Sequence, residues 1–177
     1  TAIADPPCVN WTQRTTLANP AARATHAMAY DSVRGVTVLF GGAYADGGTT
    51  LYFGDTWEFD GTTWAARSPV NGPSVRNLHA MAYDSARGVT VLFGGMTGTG
   101  FSGYSDETWE WDGTNWILRA TTGPKPPARG ALAMAYDSAR GVTVLFGGYD
   151  YSQRFADTWE WDGSAWILRG TDGPSGR

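Results

Sequence analysis

The eight residues GVTVLFGG stand at 35–42, 88–95 and 141–148 without a single change. The identity runs wider. MAYDSVRGVTVLFGG (28–42) and two copies of MAYDSARGVTVLFGG (81–95 and 134–148) differ only at Val33, where the later copies carry Ala86 and Ala139. Met28, Met81 and Met134 are each 53 residues apart. Farther along come DTWEFDGTTW (55–64), ETWEWDGTNW (107–116) and DTWEWDGSAW (157–166). A period of about 50 residues is the mark of an array in which every unit meets the same surroundings as its neighbours.

Four short strands are legible in each unit. In the middle copy, HAMAYD (79–84) leads through the polar SARG turn into VTVLF (89–93), which ends at Gly94-Gly95. ETWEWD (107–112) alternates, with Trp109 and Trp111 on one side and Thr108, Glu110 and Asp112 on the other. Asp112-Gly113 is a tight-turn dipeptide, and NWILR (115–119) returns. VTVLF is β-branched and nearly apolar on both faces, so both must be covered. Composition agrees: 24 glycines and 14% aromatics against 17% charged residues describe an all-β chain with tight turns.

The diglycine after an apolar strand, a variable loop, a Trp before an acidic turn and a second Trp several residues later resemble the kelch repeat. Gly41-Gly42, Gly94-Gly95 and Gly147-Gly148 match its glycines; Trp57 and Trp64, Trp109 and Trp116, Trp159 and Trp166 match its two aromatic positions. The resemblance covers residues 10–177 and implies an all-β, kelch-type β-propeller of three four-stranded antiparallel blades. The expected organisation is an N-terminal segment with an orphan outer strand (1–22), then blades over 23–76, 77–128 and 129–177, all within one propeller unit.

Three blades do not close a ring, because propellers typically use four to eight. An open array would expose apolar side chains at both ends, at ~1.5–3 kcal/mol for each large one. Six is the one multiple of three in the usual range, so the expected partner is a second copy, forming a homodimer that closes a six-bladed ring. The competing expectation is a fragment of a longer propeller. NWTQRTT (10–16), which matches the last strand of a blade without the strands that should precede it, favours that alternative.

Function is sought on the face that carries the variable loops. The candidate ligand-binding residues there are Tyr44, Tyr52, Phe101, Tyr104, Tyr149, Tyr151 and Arg154, a set suited to a sugar ring or a protein surface. Arg23, Arg76 and Arg129 join them as candidates near the channel mouth, since similar arginines in kelch domains can bind acidic peptides; pairing with repeated carboxylates is the competing reading. No catalytic residue, metal site or cofactor is expected. Repetition supplies one residue type in every blade, whereas catalysis needs different residues in different roles. His26 and His79 give way to Leu132 in the third unit, which fits packing better than ligation. A net charge of −4 argues against a nucleic-acid surface, and no apolar run approaches the ~18 residues of a membrane helix.

Overall fold

The computed structural model of the chain describes Gln13, Thr16, residues 18–98 and residues 103–173. The strand expected over 10–16 falls almost wholly outside them, as do Cys8, Phe101 and Arg177. Sixteen strands follow in order among the described residues: β1 (Ala27–Asp31), β2 (Val36–Phe40), β3 (Ala43–Asp46), β4 (Thr49–Tyr52), β5 (Thr56–Phe59), β6 (Trp64–Arg67), β7 (Arg76–Asn77), β8 (Ala80–Asp84), β9 (Val89–Phe93), β10 (Met96–Thr97), β11 (Thr108–Trp111), β12 (Trp116–Arg119), β13 (Ala133–Asp137), β14 (Val142–Phe146), β15 (Thr158–Trp161) and β16 (Trp166–Gly170). Three four-stranded antiparallel sheets, β1-β2-β5-β6, β8-β9-β11-β12 and β13-β14-β15-β16, are the blades. The hairpin β3–β4 and the ribbon β7–β10 belong to the loops.

Each first strand packs on its counterpart in the next blade, β1 on β8 and β8 on β13. Two apolar clusters fill the spaces between blades. Ala29, Val38 and Phe40 of blade 1 meet Met81, Tyr83, Leu92, Trp111 and Trp116 of blade 2. Val91 and Phe93 of blade 2 meet Leu145, Trp161 and Trp166 of blade 3, with Leu132 and Met134 at the margin. The strand register explains this division. Pairing Val91 with Glu110 and Ala82 puts one set on one face of the sheet, and pairing Leu92 with Trp109 and Met81 puts the other set opposite.

The two faces also differ in hydrogen-bonding chemistry. One presents acceptors: Glu58 and Thr56 in blade 1, Glu110 and Thr108 in blade 2. The other presents indole donors. Trp111 Nε1 donates to Glu58 Oε1 at 2.9 Å and Trp161 Nε1 to Glu110 Oε1 at 2.9 Å. Trp116 Nε1 donates to Thr56 Oγ1 at 2.9 Å and Trp166 Nε1 to Thr108 Oγ1 at 2.8 Å. The sequence pattern places Glu110 opposite the tryptophans. It is wholly buried all the same, because the next blade covers that face too.

A run of backbone bonds lies beside the first strands. Leu78 N donates to Thr25 O at 2.9 Å, and Ala131 N donates to Leu78 O at 2.8 Å. Thr25, Leu78 and Ala131 hold φ of 55°, 58° and 52°, a left-handed conformation unusual for residues with side chains. The same deviation at three equivalent positions points to one cause, the need to aim a carbonyl at one neighbour and an N–H at the other. The diglycine meets a related demand. A Cβ on Gly94 would stand 2.6 Å from Arg129 O, and one on Gly95 would stand 2.7 Å from Asn77 O.

His79 lies in the first of these spaces, edge-on to Phe40 with ring centroids 5.6 Å apart. Its two ring nitrogens lack hydrogen-bond partners among the described residues. Burial, reinforced by the Arg76 charge, lowers its pKa to about 3 from 6.5. The unfolded chain therefore binds a proton that the folded chain refuses, and stability is lost as pH falls below about 6.5. His26 acts in the same direction, its pKa lowered by burial and by Arg23. His79→Leu, which installs the residue that blade 3 carries as Leu132, should remove most of the loss. Urea titrations at pH 7 and pH 5 should show the wild type losing about 2 kcal/mol more than the variant; equal losses would refute the assignment.

Candidate functional site

Arg23, Arg76 and Arg129 open the three units, and each guanidinium is turned into its own blade. Arg23 grips Asp55 through two bonds of 2.6 and 2.9 Å and reaches Gly41 O at 3.0 Å. Arg129 does the same with Asp157, at 2.5 and 2.9 Å, and with Gly147 O at 3.0 Å. Arg76 bonds Glu107 at 2.7 Å and Gly94 O at 3.0 Å. The arginine side chains are 3%, 0% and 0% exposed in that order. Burial alone would raise the Asp55 and Asp157 carboxyls, but the arginine and the neighbouring Trp57 or Trp159 indole hold both below the usual carboxylate range.

Two loop aromatics complete these clamps. Phe53 lies 4.0 Å beneath Arg23 and Phe155 lies 3.7 Å beneath Arg129, a cation–π geometry. The ligand role expected for the three arginines does not match this arrangement, since a buried guanidinium already paired with a carboxylate has no face left for a peptide. Their place in the fold is to tie the two ends of each variable loop, the diglycine and the acid before the first Trp, to a single point.

The remaining candidates divide into two groups. Tyr44 and Tyr52 stand on the hairpin β3–β4, with Tyr44 paired to Leu51 and Tyr52 to Ala43. Tyr104, Tyr149 and Tyr151 come together although their loops are some 45 residues apart in the chain. The Tyr104 ring lies 5.4 Å from Tyr149, nearly perpendicular, and 4.9 Å from Tyr151. Burial, then the Tyr149 hydroxyl, raises the Tyr104 pKa well above the phenolic range. Tyr104 also rests on Gly130, where an added Cβ would come within 2.7 Å of its ring. Tyr151 donates its hydroxyl to Met96 Sδ at 3.4 Å and is still 62% exposed.

A shallow cleft of about 290 Å³ opens beside this cluster, lined by Gly103, Tyr104, Ala128, Asp150, Tyr151 and Ser152. Asp150 holds the loop by accepting from Ser152 N at 2.7 Å and Gln153 N at 2.9 Å. Arg154 is exposed, and its backbone bridges to Tyr149 across the loop. Sequence reading did not foresee Gly130 or Met96 as supports for the cluster; the only signal was Gly130 at the position that Ala24 and Asn77 occupy in the earlier units. Among the described residues, no three His, Cys, Asp or Glu side chains gather as a metal site requires.

The end faces of the array form a second candidate surface. Met28 and Tyr30 of blade 1 are 44% and 60% exposed, whereas their equivalents Met81 and Tyr83 are buried against blade 1. Blade 3 shows the opposite face: Ala133 and Ala135 are exposed, and Asp137 is more open than Asp31 or Asp84. Inside the chain, Tyr83 sits beside Asp31, and burial together with that carboxylate pushes its pKa up to about 12. Tyr136 is shifted the same way, by burial and by Asp84. Blade 1 thus leaves a donor face uncovered and blade 3 an acceptor face.

A family model described as the KLHDC2/KLHL20/DRC7 Kelch-repeats domain matches residues 3–167. No curated protein matches the chain.

The tyrosine cluster separates packing from display. Tyr151→Ala should leave the thermal midpoint within about 2 °C of wild type, as expected of an exposed side chain. Gly130→Ala should displace the Tyr104 ring and change the near-ultraviolet dichroism of the cluster. A midpoint loss well beyond 2 °C for Tyr151→Ala would make that residue part of the core.

Proposed function

The chain belongs to the kelch-repeat family, and from that premise we propose a non-catalytic binding and assembly scaffold whose three blades join a second copy head to tail to close a six-bladed ring. Kelch-repeat domains serve as protein-interaction scaffolds, and this reading adds the partner. One observation carries it. The two uncovered end faces are the two halves of an interface that the chain already builds twice within itself.

A second copy placed on that internal pattern would repeat most of its contacts. Its Tyr30 meets Asp137 as Tyr83 meets Asp31. Its Trp64 reaches Thr158 as Trp116 reaches Thr56. Its Thr25 N–H continues the backbone run to Ala131 O. Two donor faces, or two acceptor faces, would leave buried polar groups unmatched, so a face-to-face pair is disfavoured. Head-to-tail contacts that close produce a ring.

A second reading is favoured by the tyrosine cluster. Three converging rings beside an open cleft suit a sugar or a protein side chain, and in this reading the loop face of a longer propeller carries recognition. The two readings separate in one experiment. Sedimentation equilibrium should give twice the chain mass for the wild type. Tyr30→Asp, which sets a second carboxylate against Asp137, should return it to a monomer with an unchanged circular dichroism spectrum. A wild-type monomer at every concentration would overturn closure by a second copy and leave flanking blades of a longer chain as the cover.

A further inference from the structure

Within the ring just proposed, on which this inference rests, the contact between copies differs from the contact between blades of one copy at a residue that removes a hydrogen-bond donor. Trp111 and Trp161 occupy the fourth position of the TWEW strands, and each sends its indole N–H into the buried carboxylate of the preceding blade. Blade 1 carries Phe59 at that position. We infer that Phe59 makes the seam between copies a built-in weak joint, where the ring opens and exchanges subunits while the three-blade units stay intact.

The acceptor that Phe59 would face is Glu160. It is buried, bonded to Arg140, and bonded to Arg169 at 2.6 Å. Glu58 and Glu110 have the same two arginine partners, Arg34 and Arg67 for one, Arg87 and Arg119 for the other, and in addition the tryptophan of the next blade. At the seam the third donor is missing, and an apolar ring edge presses on the carboxylate in its place. A buried carboxylate deprived of a donor loses a charge-assisted bond, the stronger class of hydrogen bond. The other repeated contacts are kept: Trp64 is present to reach Thr158, and Tyr30 to meet Asp137. The lost hydrogen bond is confined to one pair on each seam, where the smaller Ala66 also stands in the place of Leu118 and Leu168, and the ring has two seams.

The substitution Phe59→Trp tests this, because the backbone at that position already accepts Trp in blades 2 and 3. The dimer dissociation constant, measured by dilution in sedimentation or mass photometry, should fall by about tenfold or more per seam. Subunit exchange between differently labelled copies should slow accordingly. The gain should shrink in a Glu160→Gln background, where the charged acceptor is gone. The reverse change, Trp161→Phe, copies the seam chemistry into an internal contact; it should lower the thermal midpoint by at least about 5 °C and leave the dissociation constant nearly unchanged. A wild type that dimerises while Phe59→Trp binds no tighter overturns the weak joint and leaves the ring standing. A Trp161→Phe midpoint equal to wild type also overturns it, and does so even if Phe59→Trp fails to fold. A wild type that never dimerises removes the ring itself.

Discussion

The fold depends on carboxylates buried between sheets. Glu110 is 0% exposed and bonds Arg87, Arg119 and the Trp161 indole. An unpaired charge at that depth would cost several kcal/mol, and removing any one donor recovers part of that cost. Two of the three donors come from the same blade, through the DSARG turn and the outer strand; the third comes from the next blade. The same group therefore fastens the hairpins of one sheet to each other and the sheet to its neighbour. Apolar packing alone would let blades slide or reverse, since it has no direction. A carboxylate that takes an indole from one side only has direction, and it fixes the order in which blades stack.

The loop face follows from a different ion pair. Each opening arginine ties the diglycine carbonyl to the acid that precedes the first Trp, so both ends of every variable loop are pinned. Between the pins, length and sequence are free. Blade 1 uses the freedom to form a hairpin, β3–β4, while blades 2 and 3 bring Tyr104, Tyr149 and Tyr151 into contact. A rigid frame carrying independent loops is the usual setting for recognition. Here the frame is electrostatic as well as sheet-like.

The strands, their antiparallel order and their turns were legible because alternation and turn dipeptides are local signals. VTVLF reads as a strand covered on both faces, and Val91 to Phe93 are at 0% exposure. The role of Glu110 was not legible: alternation assigns it to the side away from the tryptophans but cannot say that another sheet lies there. For Arg76 and Arg129 the class of partner was legible, a repeated carboxylate, but not which one, since it stands about 30 residues away across a variable loop. The tyrosine cluster escaped for the same reason, as its members meet only because blades 2 and 3 are neighbours. Phe101 and all of residues 10–16 except Gln13 and Thr16, where the sequence also suggested binding and structure, lie outside the described residues.

The near-identity of the repeats now has a physical reading that bears on how the array ends. If one set of residues builds every interface, every interface imposes the same rotation from blade to blade. A constant rotation either closes in a plane or climbs as a helix. The run from Thr25 to Leu78 to Ala131 shows that constancy: one N–H to one C=O per step, at 2.9 and 2.8 Å, with the same left-handed φ at each joint. In the six-bladed ring we propose, with about 60° between blades, the two faces left open by one copy would lie opposite those of the second, donor against acceptor at both seams. In that ring directionality sets the head-to-tail order, and the angle between blades sets the number of copies.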